Sequence, residues 1–252
     1  ARAIPPPGYQ CGEPLADCLP SEWATVQATW PANPINGWAR YQREEVTPVA
    51  ASFVQQKASS IEMGSATTVA SGNLPSSVTA GNALIAFIFY QRPGLSETSV
   101  SLTDTAGSND SWIEVDTSFW SNVYYFGARV FYLPNTASGT ANIQATFGGA
   151  STNRSILVYE FSGLATSDVL LASLFNQQDA PGTGSNAITS GLLGVLSTQP
   201  AMIFGISINV SPGNAPTAGT GFTSLDSQVT YDRAEYRAVT ATDSVAATFT
   251  AA

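Results

Sequence analysis

Short apolar and alternating segments dominate the chain beyond about residue 60. The longest apolar run, residues 83–90, has the length of a strand and predicts a buried one. Turn-forming clusters such as residues 135–139 and Pro212-Gly213-Asn214 separate the segments. Since many short strands follow one another without a long helical pattern, residues 61–252 are predicted to form an all-β, two-sheet antiparallel β-sandwich that resembles a jelly roll.

The other predicted strands are short and nearly regularly spaced. Gly127 is expected to introduce a β-bulge into one of them, and Gly148-Gly149 is expected to form a turn between two others. In chain order these strands are residues 98–104, 111–116, 123–133, 141–147, 155–161, 169–175, 202–210, 234–240 and 245–250.

Residues 1–60 follow a different pattern and predict an extended Pro/Trp-rich arm. A short helix is expected in which Ser21 caps the start, Val26 lies between two tryptophans on one face, and Pro31 ends it. Aromatic side chains in such an arm need a surface, which is either the chain's own sandwich or a neighbouring subunit. The candidate docking residues are Trp23, Trp30 and Trp38.

Two cysteines, Cys11 and Cys18, lie in the arm on either side of a segment that contains Gly12 and Pro14. A local disulfide is predicted, which would place the protein in an oxidising compartment. Two free thiols are the alternative. Two cysteines supply too few ligands for a structural zinc site.

Composition narrows the class of protein. Hydrophobic residues make up 44% of the chain and charged residues 11%, against about 25% charged residues in ordinary globular proteins. The chain is therefore expected to fold, with an uncharged polar surface that suits an exterior protein. A net charge of −9 with Lys57 as the sole lysine argues against nucleic acid and anionic membranes as partners. No apolar run has transmembrane length.

The chain has no histidine, which excludes the Ser-His-Asp triad and the Cys-His dyad. Glycoside hydrolysis needs only two carboxylates facing a cleft, but periodicity singles out no pair. Glu160 is expected to be a hydrogen-bonded structural acceptor, and the alternation of Arg233, Glu235 and Arg237 predicts a solvated face. No enzyme activity and no cofactor are predicted; the carboxylates considered are Glu114, Asp116, Glu160, Asp232 and Glu235.

Two binding features remain in the body. Asp104, Asn109 and Asp110 could supply oxygens to calcium, although such residues are also ordinary turn formers; no metal site is predicted. Trp120 and Tyr124 could stack on a glycan, whereas Tyr125 and Val123 are expected to face the core.

Four segments carry a resemblance to known proteins. Their order resembles a diffuse group of β-sandwich modules in secreted bacterial proteins and tailed-phage structural proteins, over about the last three-quarters of the chain. The resemblance implies a two-sheet fold and an exterior setting, offers no catalytic motif, and does not include the arm. The segments are Val78-Thr-Ala-Gly-Asn-Ala-Leu-Ile-Ala, Val100-Ser-Leu-Thr-Asp-Thr-Ala-Gly with the later Trp112, Thr140-Ala-Asn-Ile-Gln-Ala-Thr-Phe, and Leu157-Val-Tyr-Glu-Phe-Ser-Gly-Leu.

Taken together, the sequence predicts a non-catalytic structural protein of an extracellular or virion surface. It would be a phage virion component (capsid decoration or tail fibre) or an extracellular assembly subunit whose arm docks on neighbouring subunits, either further copies or other surface proteins. A secreted carbohydrate-binding module or adhesin is the alternative, and a polysaccharide-cleaving enzyme is the third.

Overall fold

The computed structural model describes residues 26–29, 40–43, 51–115, 119–121, 125–167, 186–190, 201–208, 216–225, 232–239 and 246–251. All regular secondary structure in these ranges is β-strand, which confirms the predicted all-β class for them. They contain no helix of the length and apolarity that crossing a membrane requires. The chain divides into two compact units, Ala1–Thr47 and Pro48–Ala252.

The first unit contains a two-stranded antiparallel sheet of β1 (Val26–Thr29) and β2 (Arg40–Arg43). The helix predicted before Pro31 is therefore wrong at residues 26–29. Val26 and Thr29 are β-branched and favour a strand, and pairing with β2 gives their backbone groups partners. The predicted docking and disulfide residues lie outside the described residues: Cys11, Cys18, Trp23, Trp30 and Trp38.

The second unit carries the other fourteen strands of the described residues. Its first eight are β3 (Ser52–Ala58), β4 (Ala66–Asn73), β5 (Ala83–Gln91), β6 (Val100–Asp104), β7 (Ile113–Glu114), β8 (Phe119–Ser121), β9 (Phe126–Leu133) and β10 (Asn142–Ser162). The last six are β11 (Asn186–Thr189), β12 (Ala201–Ile208), β13 (Thr217–Ala218), β14 (Thr223–Leu225), β15 (Asp232–Val239) and β16 (Thr248–Ala251). The strand predicted at residues 169–175 lies outside the described residues.

The largest sheet is antiparallel and has the central order β3-β10-β5-β9, with β7 and β8 both paired to the far side of β9. Two smaller antiparallel sheets follow, β12-β15-β14 and β11-β16-β13. β3 was predicted as part of the arm, but it pairs with β10 from Leu157↔Ala58 to Ser162↔Ser52. Residues 52–58 therefore belong to the second unit.

The register between β5 and β9 runs without interruption from Leu84↔Leu133 to Gln91↔Phe126. The bulge predicted at Gly127 is therefore wrong. Gly127 instead makes room for a neighbour, because a Cβ at this position would overlap the ring of Tyr90. The glycine is explained by close packing across the strand pair.

Two strands were predicted at residues 141–147 and 155–161. The structure has a single strand of 21 residues there, β10. Its first part pairs with β4 and β6, and its second part pairs with β3 and β5. The register shifts between Thr152 and Ser155, where Asn153 has a φ of 45°. The predicted turn at Gly148-Gly149 is therefore wrong: β10 bends and changes pairing partners without reversing, as strands do at sheet corners.

Alternate residues of β5 belong to two different apolar clusters. Leu84, Ala86 and Ile88 lie in the first, which also includes residues of β4, β6 and β10, and Ile85 and Phe87 lie in the second. Both faces of β5 are therefore covered, which explains its continuous apolar run.

The second cluster continues into the C-terminal strands. Ala234 of β15 and Leu225 of β14 belong to it, and Phe204 and Tyr236 pack against it. Tyr159 and Phe161 of β10 meet Phe204 with ring centroids 5.4 and 6.2 Å apart. A third, smaller cluster joins β12 and β15 to β16 through Ile203, Val239, Ala247 and Phe249.

Candidate functional site

Glu160 is a fully buried carboxylate at the end of β10. Its Oε1 accepts hydrogen bonds from the Thr79 backbone N–H at 3.0 Å and from Asn82 Nδ2 at 2.6 Å. Its Oε2 accepts one from Gln55 Nε2 at 2.5 Å. The same Gln55 is bonded to Ser76 through both ends of its amide. Glu160 therefore fastens residues 76–82 to β3 and β10, which confirms the predicted structural acceptor.

Glu235 is also fully buried, which corrects the prediction of a solvated face at this position. Its Oε2 accepts from the Gly219 N–H at 2.7 Å and its Oε1 from the Thr248 N–H at 3.1 Å. Burial raises the pKa of Glu235, and these two hydrogen bonds lower it in part. Glu235 thereby ties β15 to β13 and β16. Space for it exists because Gly205 lies opposite in β12 and a Cβ there would crowd the Glu235 side chain.

The two buried carboxylates, Glu160 and Glu235, have different hydrogen-bond partners. Glu160 occupies alternate positions along β10 together with Ile156 and Val158, which belong to the first cluster. Glu235 is bonded to the Thr248 N–H of β16, and β16 contributes Phe249 to the third cluster. Glu114 is paired with Arg129 at 2.5 Å. Asp232 begins β15, and Asp116 lies outside the described residues. Among the described acidic candidates, Glu114, Glu160 and Glu235 are engaged with partners of the fold itself.

The turn after β6 is closed by its own side chains. Asp104 Oδ1 accepts from the N–H groups of Ala106 at 3.1 Å and Asn142 at 2.9 Å, and its Oδ2 accepts from Asn109 Nδ2 at 3.0 Å. Asp110 Oδ1 accepts from the Asp104 N–H at 2.6 Å. These carboxylate oxygens accept hydrogen bonds from N–H donors, as those of turn-forming Asp residues do. Across the described part of the chain, no group of three or more acidic, Cys or His side chains is placed to hold a metal ion.

Arg129 of β9 interacts with two glutamates and with the side chain of Tyr90. Its Nη2 contacts Glu97 and its Nη1 contacts Glu114, both at 2.5 Å. Burial lowers the pKa of Arg129, but its bonds to Tyr90 and Glu114 outweigh this effect and the net shift is upward. Burial raises the pKa of Tyr90, which donates from its hydroxyl to the Thr98 carbonyl at 3.3 Å. The group therefore holds the turn after β5 against β9.

The most exposed aromatic surface of the described body is at the start of β9. Tyr125 was predicted to face the core, but its side chain is exposed and its φ is 54°. The prediction failed because it assumed one unbroken strand over residues 123–133, and a positive φ breaks the alternation of side chains. β8 pairs the backbone of Trp120 with Gly127. Tyr124 lies outside the described residues, so the predicted Trp120 and Tyr124 platform stays a prediction.

Arg92, directly after β5, organises the turn beside Tyr125. Its backbone N–H donates to the Tyr125 carbonyl at 2.8 Å. Its guanidinium donates to the carbonyls of Ser96 at 2.6 Å, Glu97 at 3.2 Å and Ala150 at 3.3 Å. One arginine therefore connects the ends of β5 and β9 with the bend in β10. This role was missed, since a scattered arginine in the sequence carries no local sign of its partners.

The described residues therefore include an exposed ring beside a hydrogen-bonded turn, and carboxylates that hold strands together. No protein-family model, curated protein or solved structure significantly matches the chain.

Proposed function

We propose that the chain is a non-catalytic structural protein of an exterior assembly, such as a virion or cell-surface component, whose N-terminal arm docks on a neighbouring subunit. The observation that supports this most is the use of Glu160 and Glu235. These candidate acids for hydrolysis are both buried, and each is bonded to its own set of backbone and amide donors. A polysaccharide-cleaving enzyme needs two such groups on one cleft.

The arm supports the assembly role. A two-stranded sheet on its own is marginally stable at best, and the described residues of the first unit form one such sheet, β1-β2. The three tryptophans of this unit, Trp23, Trp30 and Trp38, therefore need a surface to pack on. Burying large apolar side chains contributes on the order of 2 kcal/mol each, so burying all three rings would contribute on the order of 6 kcal/mol to a contact between subunits.

The body supports an exterior setting by its architecture and composition. We propose that β4, β6 and the first part of β10 face β3, β5 and the second part of β10 as the two layers of a jelly-roll-like sandwich around the first cluster. The members of that cluster come from strands on both sides of the bend. A body with a large apolar core and few charges is a stiff support for an assembling arm.

The test uses the full chain with Trp23, Trp30 and Trp38 all changed to Ala. Assembly is measured by sedimentation velocity of the purified protein over a range of concentrations. The variant is expected to sediment as a folded, unassembled chain. The matched control is Met63→Ala, which removes an exposed side chain from the body and is expected to assemble normally. Normal assembly of the tryptophan variant would refute the arm model.

The enzyme alternative has its own test. Glu160→Gln is expected to lower the free energy of unfolding by about 1–3 kcal/mol, because the new NH₂ group faces an N–H donor in a buried site. Any hydrolytic activity of the chain is expected to be the same in Glu160→Gln as in the wild type. A polysaccharide-cleaving activity in the wild type that disappears in this variant, at a temperature where the variant is folded, would show that the carboxylate is catalytic.

A further inference from the structure

Most outer strands of the largest sheet carry features that discourage pairing with another chain. β3 contains Lys57, and its register with β10 skips Val54. β7 and β8 are only two and three residues long. At the end of β6, the Asp104 N–H is occupied by the Asp110 carboxylate at 2.6 Å. Lysine, bulges and short strands are common means of protecting a sheet edge.

Residues 66–70 of β4 lack these features. They read Ala-Thr-Thr-Val-Ala, without charge or proline, and among the described strands β4 pairs only with β10. The register of β4 with β10 shifts beyond this segment, next to Gly72, and a Cβ at Gly72 would lie 3.5 Å from the Lys57 Cε. The segment 66–70 is therefore an outer edge of the described sheet that its own residues do not protect.

The backbone of this edge offers hydrogen-bonding groups. The Ile143 N–H of β10 donates across to β4 at 3.1 Å, so odd-numbered residues of this part of β10 face β4. Ala145, two residues further on, pairs with Val69. Successive residues of an antiparallel strand direct their N–H and C=O groups to opposite sides. Thr68 and Ala70 therefore direct theirs away from β10, where a further strand could pair.

The two-stranded sheet of the arm contains a strand that matches this edge. β1 has the sequence Val-Gln-Ala-Thr and carries no charge, whereas β2 contains Arg40 and Arg43. A sheet needs three or more strands for independent stability, and charged residues protect strand edges from pairing. The uncharged β1 is therefore the side of the arm sheet on which a third strand fits best, and its four residues match the length of residues 66–70.

We propose that β1 of one copy pairs with residues 66–70 of β4 in a second copy, so that β1 and β2 extend the three strands β4-β10-β6 to five. Strand addition to a sheet edge is a common mode of recognition in which main-chain hydrogen bonds supply affinity. The proposal rests on the arm docking proposed above and names its binding site. The contact is head-to-tail, because each copy offers one arm and one β4 edge.

The experiment follows sedimentation velocity of full-chain variants over a range of concentrations. Thr68→Pro removes the outward N–H without removing a hydrogen bond to β10, and proline is tolerated on edge strands. It is expected to fold like the wild type and to weaken association roughly tenfold or more. Thr68→Lys, which leaves the backbone intact and protects the edge by charge, is expected to weaken association as well. The matched control is Thr68→Ala, which keeps the N–H and is expected to assemble like the wild type.

A mixing experiment tests the head-to-tail contact. A folded Thr68→Pro or Thr68→Lys chain keeps its arm, whereas the chain with all three arm tryptophans changed to Ala keeps its β4 edge. Each is expected to be monomeric alone, and an equimolar mixture is expected to form a dimer of one copy of each and nothing larger.

The β4 site is overturned if Thr68→Lys assembles like the wild type, if Thr68→Ala loses as much association as the blocking variants, or if the mixture stays monomeric. The tryptophan variant alone separates this failure from failure of the proposed function. If that variant is monomeric while Thr68→Lys assembles normally, the arm docks elsewhere on its neighbour. If the tryptophan variant itself assembles, the arm docking is refuted together with the site.

Discussion

Arg154 is buried, 2% exposed, in the bend of β10, and its guanidinium is only partly satisfied. Nη2 donates to Glu62 at 2.9 Å, whereas Nε and Nη1 are buried without a hydrogen-bond partner in the described structure. Replacing an ill-matched buried ion by an apolar side chain is often neutral or stabilising. We therefore expect Arg154→Met to leave the free energy of unfolding unchanged or to raise it by about 1 kcal/mol or more, as measured by urea denaturation.

The control for this prediction is Arg92→Met. The Arg92 guanidinium is hydrogen-bonded to three carbonyls, so its loss is expected to cost about 1–3 kcal/mol. Glu62→Ala, which leaves Arg154 buried without its carboxylate, should also destabilise. An equal loss of stability in Arg154→Met and Arg92→Met would contradict the prediction, because it would mean that the buried Arg154 guanidinium stabilises the fold.

Glu235 predicts how stability depends on pH. Burial raises its folded-state pKa above the unfolded-state value, so the folded protein binds this proton more tightly than the unfolded chain does. The resulting stabilisation is fully present below the unfolded-state pKa and is lost as the pH rises through the folded-state pKa. The wild-type melting temperature minus that of Glu235→Gln is therefore expected to fall as the pH rises from the unfolded-state pKa of a glutamate, about 4, through the raised folded-state pKa. A difference that stays constant or grows with pH would contradict the assignment.

The role of a single residue could be predicted where its neighbours in sequence determine whether its side chain is buried. Glu160 was predictable as a structural acceptor because it follows the apolar residues of its own strand. Glu235 was not, because Arg233 and Arg237 on either side suggest a solvated face. The features that allow Glu235 to be buried come from elsewhere in the chain. Gly205 leaves space for its side chain, and the N–H groups of Gly219 and Thr248 donate hydrogen bonds to its carboxylate.

At the scale of strands, the pairing of β5 with β9 depends on Gly127. A Cβ there would overlap the Tyr90 ring, so Gly127→Ala is expected to lower the free energy of unfolding by about 1–3 kcal/mol. In a Tyr90→Leu background the overlap is gone, and the same substitution should cost much less. A double-mutant cycle measures this coupling, and an equal cost in both backgrounds would show that the contact does not limit the position.

β10 shows why some elements escape prediction. The apolar residues on both sides of Gly148-Gly149 were correctly assigned to strands, but two glycines look alike in sequence whether a chain reverses or bends. Contacts distant in sequence decide the outcome: a Cβ at Gly148 would meet Ser99, and one at Gly149 would meet the guanidinium of Arg92. By contrast, β5 was predictable because nearly all of its residues are apolar and both of its faces are covered.

For the whole molecule, the position of β3 predicts where the chain tolerates truncation. Residues 48–252 retain all strands of the second compact unit, so they are expected to fold with the melting temperature of the body in the full chain. Residues 61–252 lack β3, which removes the strand paired to β10 and the Gln55 partner of Glu160. They are expected to show no cooperative unfolding transition by circular dichroism. Equal cooperativity in both truncations would mean that β3 is dispensable.

The central claim is that the arm joins subunits, and the most direct test is the molar mass of the purified protein by light scattering over a range of concentrations. The full chain is expected to enter a larger species as its concentration rises, whereas residues 48–252 are expected to remain folded monomers throughout. A full chain that stays monomeric at every concentration would contradict the claim.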